Sequence, residues 1–109
     1  MIRKETAYGV MEFTEYNVWY TYKDVRYQLS YHPFEPCLYL MNGDEYALTL
    51  HNAFTTERII EAFAKDTTLT DLDSSVYDTE AFCKVLAYCL DNRLDNIDLF
   101  YAAKRSAGM

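Results

Sequence analysis

The strongest constraint in this sequence is a pair of neighbouring segments in which apolar and polar residues alternate strictly. Residues 25–32 read Val-Arg-Tyr-Gln-Leu-Ser-Tyr-His, so every second side chain is aliphatic or aromatic. Residues 17–22 alternate in the same way. Successive side chains of a β-strand point to opposite faces of the sheet, so a period of two predicts strands with one buried and one solvated face.

The two segments also predict their own register. A two-residue turn at Lys23 and Asp24 would place the apolar positions of one segment opposite those of the other. The predicted pairs are Tyr22–Val25, Tyr20–Tyr27 and Val18–Leu29. The residues that then share the polar face are Trp19, Thr21, Arg26 and Gln28.

A second hairpin is predicted after Pro33 and Pro36. Asn42-Gly43 is a strong turn signal between two strand-like segments, residues 37–41 and 44–51. The loop could contain two or three residues, so the register of this hairpin stays open. Residues 7–13 predict one further strand.

The second half of the chain changes to the period of a helix. Residues 55–63 predict a first helix with a threonine cap. Asp78 is expected to cap the clearest helix, because the apolar residues that follow recur at i, i+3, i+4, i+7 and i+8. These residues are Phe82, Val85, Leu86, Cys89 and Leu90. Residues 96–105 predict a short terminal helix behind Asp95.

Strands followed by helices predict an α+β domain. The expected architecture is an antiparallel sheet of four or five strands from the N-terminal half, with two or three helices of the C-terminal half packed on one face. A chain of 109 residues fits one such domain, residues 1–109.

The spacing of the chemically important residues disfavours several kinds of site. Gly9, Gly43 and Gly108 are isolated from one another, so no loop that cradles a phosphate is expected. The two histidines, His32 and His51, and the three cysteines show no metal-ligand spacing. The sequence therefore predicts no cofactor, no metal and no catalytic residue. The lack of an apolar signal core or membrane-spanning run predicts a cytoplasmic protein.

The cysteines, Cys37, Cys83 and Cys89, are predicted to be reduced thiols. Cys83 and Cys89 are six residues apart in the clearest helix, so they point about 240° apart around its axis and should not form a disulfide. A nucleophilic site would pair one of these two with His51. Because both are candidates for the buried side of the helix, where a thiolate is disfavoured, packing is the expected role.

The charge balance favours a basic protein partner. The chain has 17 acidic and 10 basic side chains, which gives a net charge of −7. Nucleic acids and anionic membranes attract Lys and Arg, so direct binding to either is disfavoured. Eight acids between residues 66 and 98 are opposed by Lys84 and Arg93, which leaves this segment a charge of −6. The eight are Asp66, Asp71, Asp73, Asp78, Glu80, Asp91, Asp95 and Asp98.

These acids have two interpretations. They can be helix caps and solubilising surface. Alternatively, they form a carboxylate array that imitates a phosphate backbone and occupies the basic nucleic-acid channel of another protein. A second candidate patch is formed by Trp19, Arg26 and Gln28 on the polar sheet face, because Trp and Arg are common interface anchors.

In size, charge and coarse layout, the chain resembles the small acidic inhibitors of phages and mobile elements, including anti-CRISPR proteins. The resemblance implies a non-enzymatic inhibitor that binds a basic nucleic-acid-processing effector and blocks its nucleic-acid site. No residue motif carries it, so no site residue is transferred. The alternatives are an immunity protein or antitoxin against a basic toxin, a small-ligand-binding domain or enzyme with a tyrosine-lined pocket, and a structural homo-oligomer.

Overall fold

The computed structural model describes residues 2–14, 17–31, 37–52 and 79–108. Within these ranges the chain forms seven strands and two helices. The strands are β1 (Ile2–Thr6), β2 (Gly9–Phe13), β3 (Val18–Tyr22), β4 (Val25–Tyr31), β5 (Leu38–Asn42), β6 (Glu45–His51) and β7 (Ile97–Asp98). The helices are α1 (Thr79–Asp91) and α2 (Leu99–Ser106). The helix predicted over residues 55–63 lies outside the described residues.

The seven strands form one sheet in which the strand order follows the chain order. Neighbouring strands are antiparallel except β6 and β7, which pair in parallel. The predicted α+β class with an antiparallel sheet is confirmed, but the sheet has seven strands among the described residues rather than the predicted four or five. The additional strands are the two edges. Neither shows clear alternation, because β1 is largely charged and β7 has two residues.

The β3–β4 hairpin has the predicted turn and register. Lys23 and Asp24 form the turn with φ angles of 49° and 64°, and positive φ at both central residues is what a type I′ turn requires. The observed pairs include Tyr22–Val25, Tyr20–Tyr27 and Val18–Leu29.

The β5–β6 hairpin resolves the register that the sequence leaves open. Its loop has two residues, Gly43 and Asp44, and Gly43 has a φ of 63°. The ladder shifts inside the hairpin, where the successive pairs are Met41–Tyr46 and Leu40–Leu48. Ala47 is therefore the extra residue of a β-bulge.

Residues 7–13, predicted as one strand, instead contain the turn of the first hairpin followed by β2. Ala7 and Tyr8 form the turn. Gly9 begins β2 with a φ of 125°, a conformation that residues with a Cβ rarely adopt. The hairpin pairs β1 with β2 along the full length of both strands.

The core lies between the helices and one face of the sheet, here called the inner face; the opposite face is the outer face. The buried residues of the inner face are Met11, Phe13, Val18, Tyr20, Leu29, Leu38, Leu40, Leu48 and Leu50. Those of the helices are Phe82, Cys83, Val85, Leu86, Cys89, Leu99 and Ala102. The predicted apolar stripe of α1 is confirmed, with Leu90 at its half-buried margin. Neither described helix has the length and apolar character that a membrane crossing needs.

The terminal helix begins later than the predicted range, residues 96–105, and its cap is Asp98 rather than Asp95. The Asp98 carboxylate accepts hydrogen bonds of 2.9 and 3.2 Å from two backbone N–H groups of the first turn of α2. Ile97 instead pairs with Leu50 as part of β7 and packs against the core. Strand pairing and partial burial of Ile97 therefore displace the first helical turn that the sequence suggests.

Candidate protein-binding face

The outer face of the sheet carries a continuous row of side chains that crosses six strands. Each member is directly opposite the next in the strand register. Directly opposed residues of antiparallel strands have Cβ atoms about 4.5–5.5 Å apart, so their side chains can contact one another. The members, here called the outer row, are Arg3, Glu12, Trp19, Gln28, Met41 and Tyr46.

Trp19 lies near the middle of the outer row, beneath a guanidinium group. The Cζ atom of Arg26 is 4.1 Å from the centroid of the Trp19 ring. Arg26 Nε is also 3.8 Å from Oε1 of Glu12, and half of the Arg26 side chain, 51%, remains exposed. A guanidinium over an indole face is an attractive cation–π arrangement. Trp19 and Arg26 therefore form one contact unit.

Gln28 completes the patch suggested by the sequence. It is paired directly with Trp19, and its Nε2 donates a hydrogen bond of 2.6 Å to Oδ1 of Asn17. The structure thus brings Trp19, Arg26 and Gln28 together, because the β3–β4 register is the predicted one. Sequence reasoning missed the row members on β1, β2, β5 and β6, because the pairing of those strands stays open in the sequence.

Tyr46 forms the β6 end of the outer row and contacts Tyr39 of β5. Tyr46 is 65% exposed. Its ring meets that of Tyr39 edge to face, with the ring centroids 5.2 Å apart and an angle of 68° between the ring planes. Both helices of the described part of the chain lie against the inner face. Within the described residues, the outer row is therefore left without a covering helix.

The acidic array predicted between residues 66 and 98 is only partly described. Four of its members, Asp66, Asp71, Asp73 and Asp78, lie outside the described residues. Of the others, Glu80 is exposed in the first turn of α1. The remaining three are bound to other groups of the fold. The array itself stays a prediction.

Asp91 joins the end of α1 to the β3–β4 turn. Its Oδ2 accepts a hydrogen bond of 2.6 Å from the Tyr22 hydroxyl, and its Oδ1 accepts one of 2.8 Å from Lys23 Nζ. The contact with Lys23, followed by that with Tyr22, holds the pKa of Asp91 below its ordinary value. Asp91 in turn raises the pKa of Lys23. The Asp91 carboxylate therefore links the end of α1 to the sheet.

Asp95 and Asp98 bind groups at the β6–β7 junction. Asp95 Oδ1 accepts a hydrogen bond of 2.6 Å from the backbone N–H of Thr49. Asp98 caps α2 and also accepts a hydrogen bond from Asn52 Nδ2. The bond from Asn52 is the main reason that the pKa of Asp98 is lowered, and the backbone N–H groups of α2 add to the effect. Both residues have structural roles that a phosphate-mimicking array does not require.

His51 lies beside Cys37, whereas the nucleophilic alternative pairs His51 with Cys83 or Cys89. The distance from Cys37 Sγ to His51 Nδ1 is 3.1 Å. Cys83 and Cys89 are buried in α1, and no disulfide joins any of the three cysteines, all of which lie in the described part of the chain. Burial raises the pKa of the Cys89 thiol to about 11. In the described ranges, no group of three or more His, Cys, Asp and Glu residues is arranged to hold a metal ion.

Comparison of the chain with protein-family models, curated proteins and solved structures finds no match in any of the three. The geometry of the chain's own residues therefore carries the functional proposal. Its most extensive feature is the outer row, in which Trp19 is covered by the Arg26 guanidinium and the exposed Tyr46 contacts the half-buried Tyr39.

Proposed function

We propose that the protein is a non-enzymatic inhibitor that uses the outer row to bind a basic nucleic-acid-processing protein and block its nucleic-acid site. The observation that carries the proposal is the outer row with the Arg26 guanidinium stacked on Trp19. Trp, Tyr and Arg are the residue types most enriched among energetically important interface positions. A sheet holds these side chains in place before binding, so little conformational entropy is lost when a partner docks.

The chemistry of the partner follows from charge. The chain carries a net charge of −7, and Asp24, Asp44 and Glu45 are exposed at the β3–β4 and β5–β6 turns. In a sheet of consecutive antiparallel strands, these two turns lie at the same end. Opposite potentials accelerate association and select its orientation. Proteins that handle nucleic acid present Lys and Arg to phosphates, so they offer the complementary surface.

Affinity capture from a bacterial lysate, quantified by mass spectrometry, tests the proposed interface. The test variant is Trp19→Ala with Arg26→Ala. The matched control is Tyr101→Ala with Arg105→Ala, an exposed aromatic–arginine pair on α2 with the Arg105 guanidinium 5.8 Å from the Tyr101 ring centroid. Loss of two anchor residues is expected to weaken capture of the partner by about two orders of magnitude. The control should capture it as the unmodified chain does.

Competition with nucleic acid tests the inhibitory role. The captured protein is purified, and its binding to labelled DNA or RNA is measured with and without this chain. Displacement of the nucleic acid is expected. A partner that holds this chain and nucleic acid together would contradict inhibition but leave the interface intact. A partner retained equally by the test and control variants would place the interface away from the outer row.

A further inference from the structure

Cys37, His51 and Asn96 form a hydrogen-bonded chain at the β6–β7 junction. Cys37 immediately precedes β5, His51 ends β6 and Asn96 immediately precedes β7. The thiol contacts one ring nitrogen of the histidine, with Sγ 3.1 Å from Nδ1. The other ring nitrogen, Nε2, is hydrogen bonded to Oδ1 of Asn96. A nucleophile, a base and an orienting group are thus arranged in series.

Asn96 selects the tautomer of the imidazole. Its Oδ1 atom can only accept a hydrogen bond, so this contact requires the tautomer in which His51 Nε2 carries the proton. In the neutral ring the lone pair is then on Nδ1, which faces the thiol of Cys37. The Cys37 proton can therefore pass to Nδ1, which leaves a thiolate beside an imidazolium that still donates to Asn96.

The orienting residue is itself held in place. Asn96 has a φ of 57°, and its backbone N–H donates a hydrogen bond of 2.8 Å to Oδ1 of Asp95. The same oxygen accepts the backbone N–H of Thr49 at 2.6 Å, which anchors this segment to β6. Supporting contacts of this kind fix the orientation of a reactive imidazole.

We propose that Cys37 is a reactive thiol that is oxidised by hydroperoxides, with His51 as its proton acceptor and Asn96 as the positioning residue. The class of oxidant follows from access. Cys37 is 2% exposed, which excludes a bulky electrophile. A peroxide also needs a proton for its leaving oxygen, and the imidazolium supplies it. This inference does not depend on the proposed inhibitory function.

The reaction balances without another reactant. The Cys37 proton moves to His51 Nδ1, and the thiolate sulfur attacks the terminal oxygen of the hydroperoxide. The S–O bond forms as the O–O bond breaks, and the departing alkoxide or hydroxide takes the proton from Nδ1. Sulfur loses two electrons to the peroxide. The products are a sulfenic acid on Cys37 and an alcohol, or water when the oxidant is hydrogen peroxide.

The other two cysteines provide an internal reference in the unmodified chain. The native protein is exposed to hydrogen peroxide, which is then removed with catalase. The chain is unfolded in the presence of dimedone, and the dimedone-labelled cysteines are quantified by mass spectrometry. Cys89 is buried in α1 and its pKa is raised to about 11. Cys37 is expected to be oxidised at least about tenfold faster than Cys89. Equal rates at all three cysteines would overturn the proposal, because they would indicate oxidation through global unfolding.

Variants at Asn96 separate positioning from simple structural support. Asn96→Ala removes the acceptor for Nε2 and is expected to slow Cys37 oxidation by about tenfold. Asn96→Asp keeps an acceptor and should retain the rate. Asn52→Ala is the matched control, since it removes the neighbouring contact with Asp98 at the same junction and leaves the hydrogen-bonded chain of Cys37, His51 and Asn96 unchanged. If Asn96→Ala and Asn52→Ala have the same oxidation rate, Asn96 has no positioning role.

Discussion

Gly9 lies against the ring of Tyr20 so closely that a methyl group at position 9 would be 2.6 Å from Cε1 of that ring. The same methyl group would be 2.7 Å from the carbonyl oxygen of Thr21. Tyr20 is fully buried, and its hydroxyl donates a hydrogen bond of 2.5 Å to the carbonyl of Tyr8. The first hairpin can therefore pack on β3 only if position 9 lacks a side chain.

Gly9→Ala is expected to destabilise the fold by about 3 kcal/mol, because it adds a steric overlap to an unfavourable φ. Gly43→Ala is the control. Gly43 also has a positive φ, 63°, but nothing lies within 4 Å of its missing Cβ, so a loss of about 1 kcal/mol is expected. Urea denaturation measures both. Equal losses would show that the Tyr20 contact adds nothing to the backbone effect.

Tyr20→Phe is expected to lower the free energy of unfolding by about 1–2 kcal/mol, because it removes the buried donor to the Tyr8 carbonyl. The ring and its packing are retained. Tyr22→Phe is the matched change on the same strand, where the lost hydroxyl contacts the exposed carboxylate of Asp91. It should have a smaller effect in urea denaturation. A Tyr20→Phe protein as stable as the unmodified chain would contradict an energetic role for this bond.

Asp98 should make the stability of the C-terminal helix depend on pH in the acidic range. Its pKa is lower in the folded protein than in the unfolded chain, chiefly through the hydrogen bond from Asn52. The ionised form therefore stabilises the fold above the ordinary aspartate range, and this contribution is lost as the pH falls through the folded pKa. Asp98→Ala should cost about 1 kcal/mol at pH 7.

Asp98→Asn provides the control for this acid dependence. Asparagine is a good helix cap, so most of the neutral-pH stability should remain, whereas the Asp98 part of the acid dependence should disappear. Both effects are measured by thermal unfolding of each protein between pH 2 and pH 7. The change of Tm with pH reports the protons taken up on unfolding. A stability profile for Asp98→Asn identical to that of the unmodified chain would contradict the assignment.

The acidic-array hypothesis calls for a variant that spares the structural carboxylates. Asp71→Asn, Asp73→Asn and Glu80→Gln remove three charges without touching the bonds made by Asp91, Asp95 or Asp98. If the array steers the partner, the association rate should fall by about threefold to tenfold at low salt and converge with that of the unmodified chain as salt screens the charges. Surface plasmon resonance with the captured partner measures the rates. Unchanged rates at every salt concentration would assign these acids to solubility.

The sequence predicts the parts of the fold in which local pattern and turn chemistry agree. The β3–β4 register follows from alternation plus the turn at Lys23 and Asp24, and both are observed. The edge strands β1 and β7 are missed because the alternation of apolar and polar residues is weak in both. Ile2–Thr6 pairs through its backbone despite charged side chains, and Ile97–Asp98 exists because β6 offers a partner. Tertiary pairing decides these segments, and local propensity does not.

The candidate sites depend on distant contacts that the sequence cannot specify. Asp91 meets Lys23 and Asp95 meets Thr49 across a large part of the chain, so their structural roles are invisible in a charge count. The pairing of Cys37 with His51 is different. It follows directly once Leu38 is placed opposite Leu50. However, the bulge at Ala47 shifts the register by one residue, so the length of the turn alone does not predict this pairing.

The consecutive strand order also bears on how the protein folds. Each pair from β1 to β6 joins neighbouring segments, so most of the sheet can form through short loop closures, which are entropically inexpensive. The pairing of Leu50 with Ile97 instead closes a long loop. We expect β3 and β4 to belong to the folding nucleus and β7 to dock late. Hydrogen exchange in native conditions should therefore be faster for the backbone amides of β7, through local opening, than for those of the β3–β4 hairpin.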